Sequence, residues 1–423
     1  MIQDLLINSA QDPVLNEAPA ALGIGPDTWR TLPGVPMSFR LVLKLVSRLE
    51  IGALLMLLPD GRALRAQGPQ PGPNGVLIVR DYGFATRVMR SGNCGFGEAY
   101  MAGEWDSPDP STLVETLSSN SRHLMQVLQG HGAYKLLQRI FHTLHRNTKD
   151  GAKRNIHAHY DLGNEFYKLW LDPTMTYSSA RFTKPDEDLS AAQLNKYRTL
   201  ARSVGLQSGQ SVLEIGCGWG GFAEFAAGEV GCKVTGITIS HEQLEFARRR
   251  MFEKGLSERV ELKFQDYRDV EGKFDRVASI EMFEAVGREY WPAFFQKVRD
   301  VLKEGGQAGL QIITIKDELF DTYRRGTDFI QRYVFPGGML PSPSVLRGEI
   351  EKAGLEWKGD ARFGRDYART LGEWRRRFIA QWPKIEKIGF DERFQRLWKC
   401  YLSYCEGAFR AGSIDVMQIA LKR

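Results

Sequence analysis

Residues 211–221 read Ser-Val-Leu-Glu-Ile-Gly-Cys-Gly-Trp-Gly-Gly, so Gly216-x-Gly218-x-Gly220-Gly221 follows directly on a short β-branched run. Glycines let a backbone turn tightly and approach a ligand closely, and a helix that starts there offers unpaired N–H groups to an anionic group. The chemistry implied is the binding of a nucleotide-like cofactor. A second pair of residues invites acid–base chemistry. Glu281 and Glu284 lie three apart on a predicted helix that follows an apolar run, hence near one face. Glu284, at the carboxyl edge of a buried strand, reads as functional. Glu281 reads as solvated surface charge.

Two details argue against a nicotinamide dinucleotide. The loop reads GxGxGG, with a further glycine inside the GxGxxG spacing of a dinucleotide site, and the second strand ends Gly236-Ile237-Thr238 without an acid for the ribose. Glu214 before the loop, Gln243 after the second strand and Asp266-Tyr267 after the third suit S-adenosylmethionine better. Its hydroxyls and adenine need acceptors and donors at the ends of successive strands. Gly216, Gly218, Tyr177, Ser178, Thr238 and Ile280 complete the expected cofactor contacts.

The elements that must position these residues are visible as alternation. β-Branched runs at 211–215, 233–238, 260–265, 274–280 and 307–315 are separated by helix-like stretches at 220–228, 242–254 and 292–303. That pattern predicts an α/β fold with a doubly wound, largely parallel, Rossmann-like sheet over 151–423. Its last strand, 415–421, follows a long helical region at 370–410. Residues 1–110 form a small α+β domain: a loose arm at 1–35, a helix at 38–48, a strand at 51–58, a turn cluster GPQPGPNG at 68–75 and a strand from Val76. Residues 111–150 read as a helical connector.

The chain has 423 residues, 57 Lys+Arg against 51 Asp+Glu, a net charge of +6, and is 43% hydrophobic and 26% charged. With a mean hydropathy of −0.33 it is a core-forming chain rather than a disordered one. So small a charge excess does not imply nucleic acid. Five cysteines form no CxxC pair, which fits a reduced compartment without zinc. The first residues show no secretory leader. The most apolar window, 39–58, is broken by Arg40, Lys44, Arg48 and Glu50 and does not span a bilayer.

Several residues invite sharper readings that blander ones outweigh. His157 and His159 serve an ordering hydrogen bond better than a metal, His142 and His145 sit in the basic connector, and Cys217 and Cys405 are small fillers. The stripe Arg40/Lys44/Arg48 suits docking of residues 1–110 on anionic lipid headgroups, a reading outweighed by packing of its apolar side on the small sheet with the charges solvated. The runs 248–250 and 375–377, three arginines each, read as solvated helix faces. Phe320, Tyr323, Phe329, Phe335, Trp374, Phe378 and Trp382 serve an acyl channel or a core.

Beyond the loop, His159-Tyr-Asp-Leu-Gly-Asn164, Leu171-Asp-Pro173, Tyr177-Ser178, Phe283-Glu284, Val286-Gly287, Tyr333-x-Phe-Pro336, Leu340-Pro341-Ser342 and Gly407-Ala-Phe-Arg410 recur as a set, with Gly97–Gly103 near the start. On these the chain resembles the cyclopropane-fatty-acyl-phospholipid synthase family, a group of S-adenosylmethionine-dependent methyltransferases, as a divergent member. The resemblance covers most of residues 75–423. It implies methyl or methylene transfer to a cis double bond of an unsaturated membrane phospholipid, by a cytoplasmic enzyme peripheral to the inner membrane face, with a homodimer left open.

An isolated alkene needs a strongly electrophilic methyl donor, and attack leaves a carbocation that must be shielded from water and deprotonated. Tyr177 and Tyr333 offer π-faces to that cation. In the family the base is a bicarbonate held by a Cys, a Glu, a His and a Tyr. Glu284 and Tyr333 match two of these; Ser179 stands for the cysteine and Ile313 for the histidine. The catalytic set is therefore Glu284, Tyr333 and Ser179, with bicarbonate in question. The expected product is a methylated or methylene-branched chain. The alternatives are true cyclopropane formation and a catalytically idle lipid-binding relative.

Overall fold

The computed structural model describes residues 21–25, 27–121 and 162–423. The arm before residue 21, the connector from 122 and the histidines at 142, 145, 157 and 159 lie outside the described residues. Among the described residues, 21–121 with Phe390–Ser413 form one compact unit, and 162–389 with Ile414–Arg423 form the other.

The first unit is built on a mixed sheet in the order β1-β3-β2-β4-β5. Its strands are β1 (Leu22–Gly23), β2 (Ile51–Leu57), β3 (Ala63–Gln67), β4 (Gln70–Val79) and β5 (Trp105–Asp106). Helix α1 (Met37–Val46) buries Phe39, Val42, Leu43, Leu45 and Val46, the apolar side the sequence marks out. Its basic stripe is partly used within the fold. The Arg40 guanidinium donates to the carbonyl of Leu32 at 2.8 Å, and the Lys44 ammonium lies 5.1 Å from the Trp29 ring centre. The GPQPGPNG segment differs from expectation. Most of it is the first half of β4, paired parallel with β2, and glycine at 52 leaves room for the Pro73 carbonyl opposite.

Helices α2 (Gly83–Met101) and α3 (Pro110–Ser119) complete this unit, together with the helix Glu392–Arg410. Residues 110–119 are thus an integral helix, started by the Asp109 carboxylate accepting from Ser111 N–H. A Cβ at Gly407 would lie 2.6 Å from the Ser111 carbonyl oxygen and 2.7 Å from Val114 Cβ. The Ser111 hydroxyl donates to Glu406 Oε2 at 2.8 Å in a buried contact. The Gly407–Arg410 motif is therefore a helix-docking device.

The second unit carries a seven-stranded sheet in the order β11-β12-β10-β9-β6-β7-β8. Strands β6 (Ser211–Ile215), β7 (Lys233–Thr238), β8 (Val260–Phe264), β9 (Phe274–Ile280) and β10 (Leu302–Ile315) run parallel, as their sequences predict. β12 (Ile414–Lys422) runs antiparallel between β10 and β11 (Glu356–Arg362). The sequence did not indicate β11, a polar edge strand without alternation. Helices α4 (Leu189–Ser203), α5 (Gly221–Phe225), α6 (His241–Glu253), α7 (Trp291–Val301) and α8 (Gly364–Lys387) cover the sheet. The helical region at 370–410 is two helices, interrupted at Gly389 with φ 105°, and they belong to different units.

Alternate strand residues feed two cores. Leu213, Ile215, Val277, Leu310 and Ile312 pack with Phe294 and Val298, while Val212, Val234, Leu262 and Ala278 pack with Tyr197, Phe222 and Ala247. Burial on both faces is what a parallel sheet requires. Chain order reverses between β6 and β9, and a crevice outside the carboxyl ends of strands at such a switch point is where a doubly wound sheet binds its ligand.

Two glycines give opposite expectations. Gly407→Ala should cost about 1–3 kcal/mol by overpacking. Gly348→Ala, in the helix Pro343–Lys352 where an added Cβ meets nothing within 4 Å, should add about 0.4–1 kcal/mol. Thermal melts of the two variants check both signs.

Candidate active site

The glycine loop leaves β6 with Gly216 at φ 83° and Gly218 at φ 52°, backbone that other residues rarely adopt. The N–H groups of Gly216 and Cys217 both donate to the Ile237 carbonyl, at 3.0 and 2.9 Å, which pins the loop to β7. A Cβ at Gly216 would strike the Met282 side chain at 2.7 Å, whereas one at Gly218 would meet nothing within 4 Å. The loop is therefore packed on one side and open on the other, a cradle that fits S-adenosylmethionine. The leading motif is tied to this cradle. Trp219 Nε1 donates to Asn164 Oδ1 at 2.6 Å.

Glu214 sits beneath the loop at 3% exposure. Burial pushes its carboxyl well above the ordinary range, against the opposing pull of the Ala223 N–H and of Arg250 and Lys196. It positions the start of α5. Thr238 donates to Gln243 Oε1 at 3.2 Å, and Gln243 N–H donates to Ser240 Oγ at 3.3 Å, so the predicted residue that ends β7 and the one in the helix after it are assembled as a pair. Ile280 ends β9 beside Gln311 of β10. Asp266 is brought to the same edge, but Arg268 binds its carboxylate through both oxygens, at 2.8 and 2.7 Å. Tyr267 packs on Phe294, with ring centres 5.4 Å apart. Its hydroxyl is buried and unpartnered among the described residues, and burial pushes it up to about 12.

The carboxylates depart most from the sequence reading. Phe283–Ala285 is a single 3₁₀ turn and not a helix. Glu281, expected as surface charge, has φ 50° and turns its carboxylate inward. Oε1 accepts from Ser179 N–H at 2.8 Å and from Gln311 Nε2 at 2.7 Å, and Oε2 accepts from the Tyr367 hydroxyl at 2.6 Å. Its place at the end of a buried strand was the available signal. Glu284 Oε1 accepts from Ile313 N–H, and Oε2 is sealed with no hydrogen-bond partner among the described residues. Burial and the Glu281 charge push Glu284 up to about 8. Burial pushes Glu281 upward as well, but Tyr367, Lys196, Gln311 and the Ser179 N–H oppose it. The first negative charge of the pair therefore rests on Glu281.

Lys196 on α4 is a further residue that sequence reading missed, because no motif contains it. It is fully buried and donates to Ser178 Oγ and Gln193 Oε1, both at 2.6 Å. Burial lowers it to about 7, opposed by Glu281, Asp172 and Glu214. Ser178 and Ser179 are both buried. The Ser179 hydroxyl donates to the Ala180 carbonyl at 2.9 Å. Tyr177 stands in an aromatic group, its ring centre 5.3 Å from Tyr167, 5.5 Å from Trp170 and 5.2 Å from Trp374. Tyr333 ends the short helix Phe329–Tyr333, and the turn that follows docks on Glu284 through Met339 N–H, 2.9 Å from its carbonyl. Cys217 is a buried filler whose thiol burial pushes well up.

Bicarbonate does not fit these residues. The Ser179 N–H is already given to Glu281, its hydroxyl to Ala180 and the Ile313 N–H to Glu284. Ile313 adds no polar side chain, and an added anion would be repelled by the Glu281 carboxylate.

The chain is similar to known proteins in both sequence and fold. The family model described as mycolic acid cyclopropane synthetase matches residues 147–419. The tuberculostearic acid methyltransferase UfaA1 of Mycobacterium tuberculosis is 36% identical, over 96% of this chain and 98% of its own length. The cyclopropane-fatty-acyl-phospholipid synthase of Escherichia coli is 35% identical, over 82% of this chain and 87% of its own. The crystal structure of the mycolic acid cyclopropane synthase CmaA1 complexed with SAH and CTAB superposes with a TM-score of 0.61 at 30% identity. It covers 64% of this chain and 98% of that one.

The raised Glu284 makes stability depend on pH. Between its ordinary value of 4.5 and about 8 the folded chain holds a proton that the unfolded chain releases, so this group's contribution falls as pH rises through that window. Glu284→Gln removes the dependence. The melting temperature of the variant relative to wild type should climb between pH 6 and pH 9, reflecting on the order of a few kcal/mol. A difference that stays flat in buffered melts would contradict it.

Proposed function

The chain belongs to the mycolic acid cyclopropane synthetase family, and from that premise we propose that it methylates a cis double bond in an unsaturated phospholipid acyl chain. It is an S-adenosylmethionine-dependent methyltransferase of lipid. The observation that carries the finer reading is the convergence at one sheet edge of an open glycine cradle, the enclosed carboxyl groups Glu281 and Glu284, and the aromatic group around Tyr177.

S-adenosylmethionine supplies the electrophilic methyl group. Gly216 and Gly218 with Thr238, Gln243, Ser178 and Asp266 hold it at the ends of β6, β7 and β8. The aromatic faces of Tyr177 and Trp374 suit the carbocation that forms on the acyl chain, and the buried surroundings keep water from trapping it. With Ile313 in place of a polar side chain, a hydride shift precedes proton loss, which leaves a methylated or methylene-branched chain. The relative UfaA1 is named a methyltransferase, which supports branching over ring closure.

The substrate lies in a membrane, and among the described residues no helix is long and apolar enough to cross one. Peripheral contact driven by the net charge of +6 suits that task. Part of the basic surface is already engaged. Arg250 binds Glu224 and the Thr174 carbonyl, and Arg376 pairs with Glu373.

Incubating the purified chain with dioleoyl-phospholipid vesicles and deuteromethyl S-adenosylmethionine tests this reading. Lipid mass spectrometry should show acyl chains carrying three deuteriums for a methyl product or two for a methylene branch. Gas chromatography against standards should show no ring. A cyclopropane as the main product would overturn the branching reading, and unlabelled lipid would overturn the activity.

A further inference from the structure

We infer that the proton released in this reaction is taken by the Glu281 carboxylate itself, which occupies the donors that an external anion would need. The inference rests on the methylation reading above. Its first support is geometric. Glu281 is the residue immediately after β9, at the switch-point edge of the sheet. The next side chain, Met282, packs where a Cβ on Gly216 would be, so Glu281 follows directly on the floor of the cofactor cradle. Its backbone is held at φ 50°, a conformation costly for glutamate and maintained only where the surroundings over-determine it.

The second support is the count of lone pairs. A carboxylate offers about four acceptor sites. Ser179 N–H and Gln311 Nε2 fill both sites of Oε1, and the Tyr367 hydroxyl fills one site of Oε2. Among the described residues, one site on Oε2 is left for a proton. The donors are themselves held. Gln418 Nε2 donates to Gln311 Oε1 at 3.0 Å, which fixes the Gln311 amide with its NH₂ toward Glu281. The buried Lys196 ammonium adds favourable charge.

The third support is elimination within the site. Glu284 accepts from Ile313 N–H on one oxygen, its other oxygen is sealed, and it holds its proton to about pH 8. It is neutral when the reaction runs near pH 7 and cannot accept another proton.

The step balances. The alkene π pair forms the bond to the transferred methyl carbon, whose bond to sulfur breaks with its pair left on sulfur. A hydrogen moves with its electron pair to the neighbouring cationic carbon. A C–H pair beside the new cation becomes a C=C bond, and the proton adds to Glu281 Oε2. A carboxylate already holding three hydrogen bonds is a weaker proton acceptor than an unbonded one, which allows the hydride shift to come first.

The test measures label transfer to dioleoylphosphatidylglycerol vesicles in buffer stripped of carbon dioxide, with and without added bicarbonate. The wild-type rate should be the same in both. Glu281→Gln should lose about 10²–10⁴-fold in rate while binding S-adenosylmethionine by calorimetry as wild type does. Glu281→Gly, which opens the space, should regain rate when bicarbonate or formate is added. A wild-type rate that collapses without bicarbonate and returns with it overturns the inference, and this result needs no variant to fold. Glu281→Gln acting at the wild-type rate overturns it equally. Wild type that labels no lipid in either buffer overturns the methylation reading, a failure distinct from bicarbonate dependence.

Discussion

A carboxylate withdrawn from water must be met by donors, and that requirement at Glu281 organises the centre of this molecule. Its three donors come from three separate segments: Ser179 from the stretch after the leading motif, Gln311 from β10 and Tyr367 from α8. Gln418 on β12 then sets the Gln311 amide and also donates to the Lys196 carbonyl at 3.0 Å. Strand order makes this feasible. β9, β10 and β12 are successive neighbours in the sheet, so polar side chains near their edge meet without crossing the apolar layers. Removing one member would leave a buried charge without its partner, which costs far more than the bond itself contributes.

The same network divides the labour of two glutamates. Glu281 and Glu284 are both enclosed, but only Glu281 has a set of donors and a nearby cation. Glu284 has one backbone N–H and a neighbouring negative charge. Environments that separate the proton affinities of two like groups assign them different roles. Glu281 is the anionic member and Glu284 the neutral one, anchored between Ile313 N–H and Met339 N–H. The loop that carries Leu340-Pro341-Ser342 is held at the same edge, since Ile315 N–H donates to the Pro341 carbonyl at 3.0 Å.

Much of this was legible in the sequence where local pattern and tertiary role coincide. The five parallel strands show as short runs carrying β-branched residues between helical stretches, and the glycine loop shows because residues other than glycine rarely adopt its backbone. Lys196 was not legible, and Glu281 was legible only through its place at the end of a buried strand. Burial of a charge is decided by partners more than 80 residues away, as with Tyr367 and Glu281, and spacing within one segment does not report it. β4 was hidden by prolines that usually mark turns, and the role of the helix Glu392–Arg410 was hidden because it joins the amino-terminal unit across nearly the whole chain. The Gly407 motif is visible in the sequence, but its physical meaning lies in the 2.6 Å approach of a Cβ there to Ser111.

The most direct measurement is a crystal structure of the chain grown with S-adenosylhomocysteine in bicarbonate-containing solution. Glu281 should lie turned inward on Ser179 N–H, Gln311 and Tyr367, with no separate anion between it and Glu284. Planar carbonate density on the Ser179 N–H, with the Glu281 side chain displaced from it, would contradict the account.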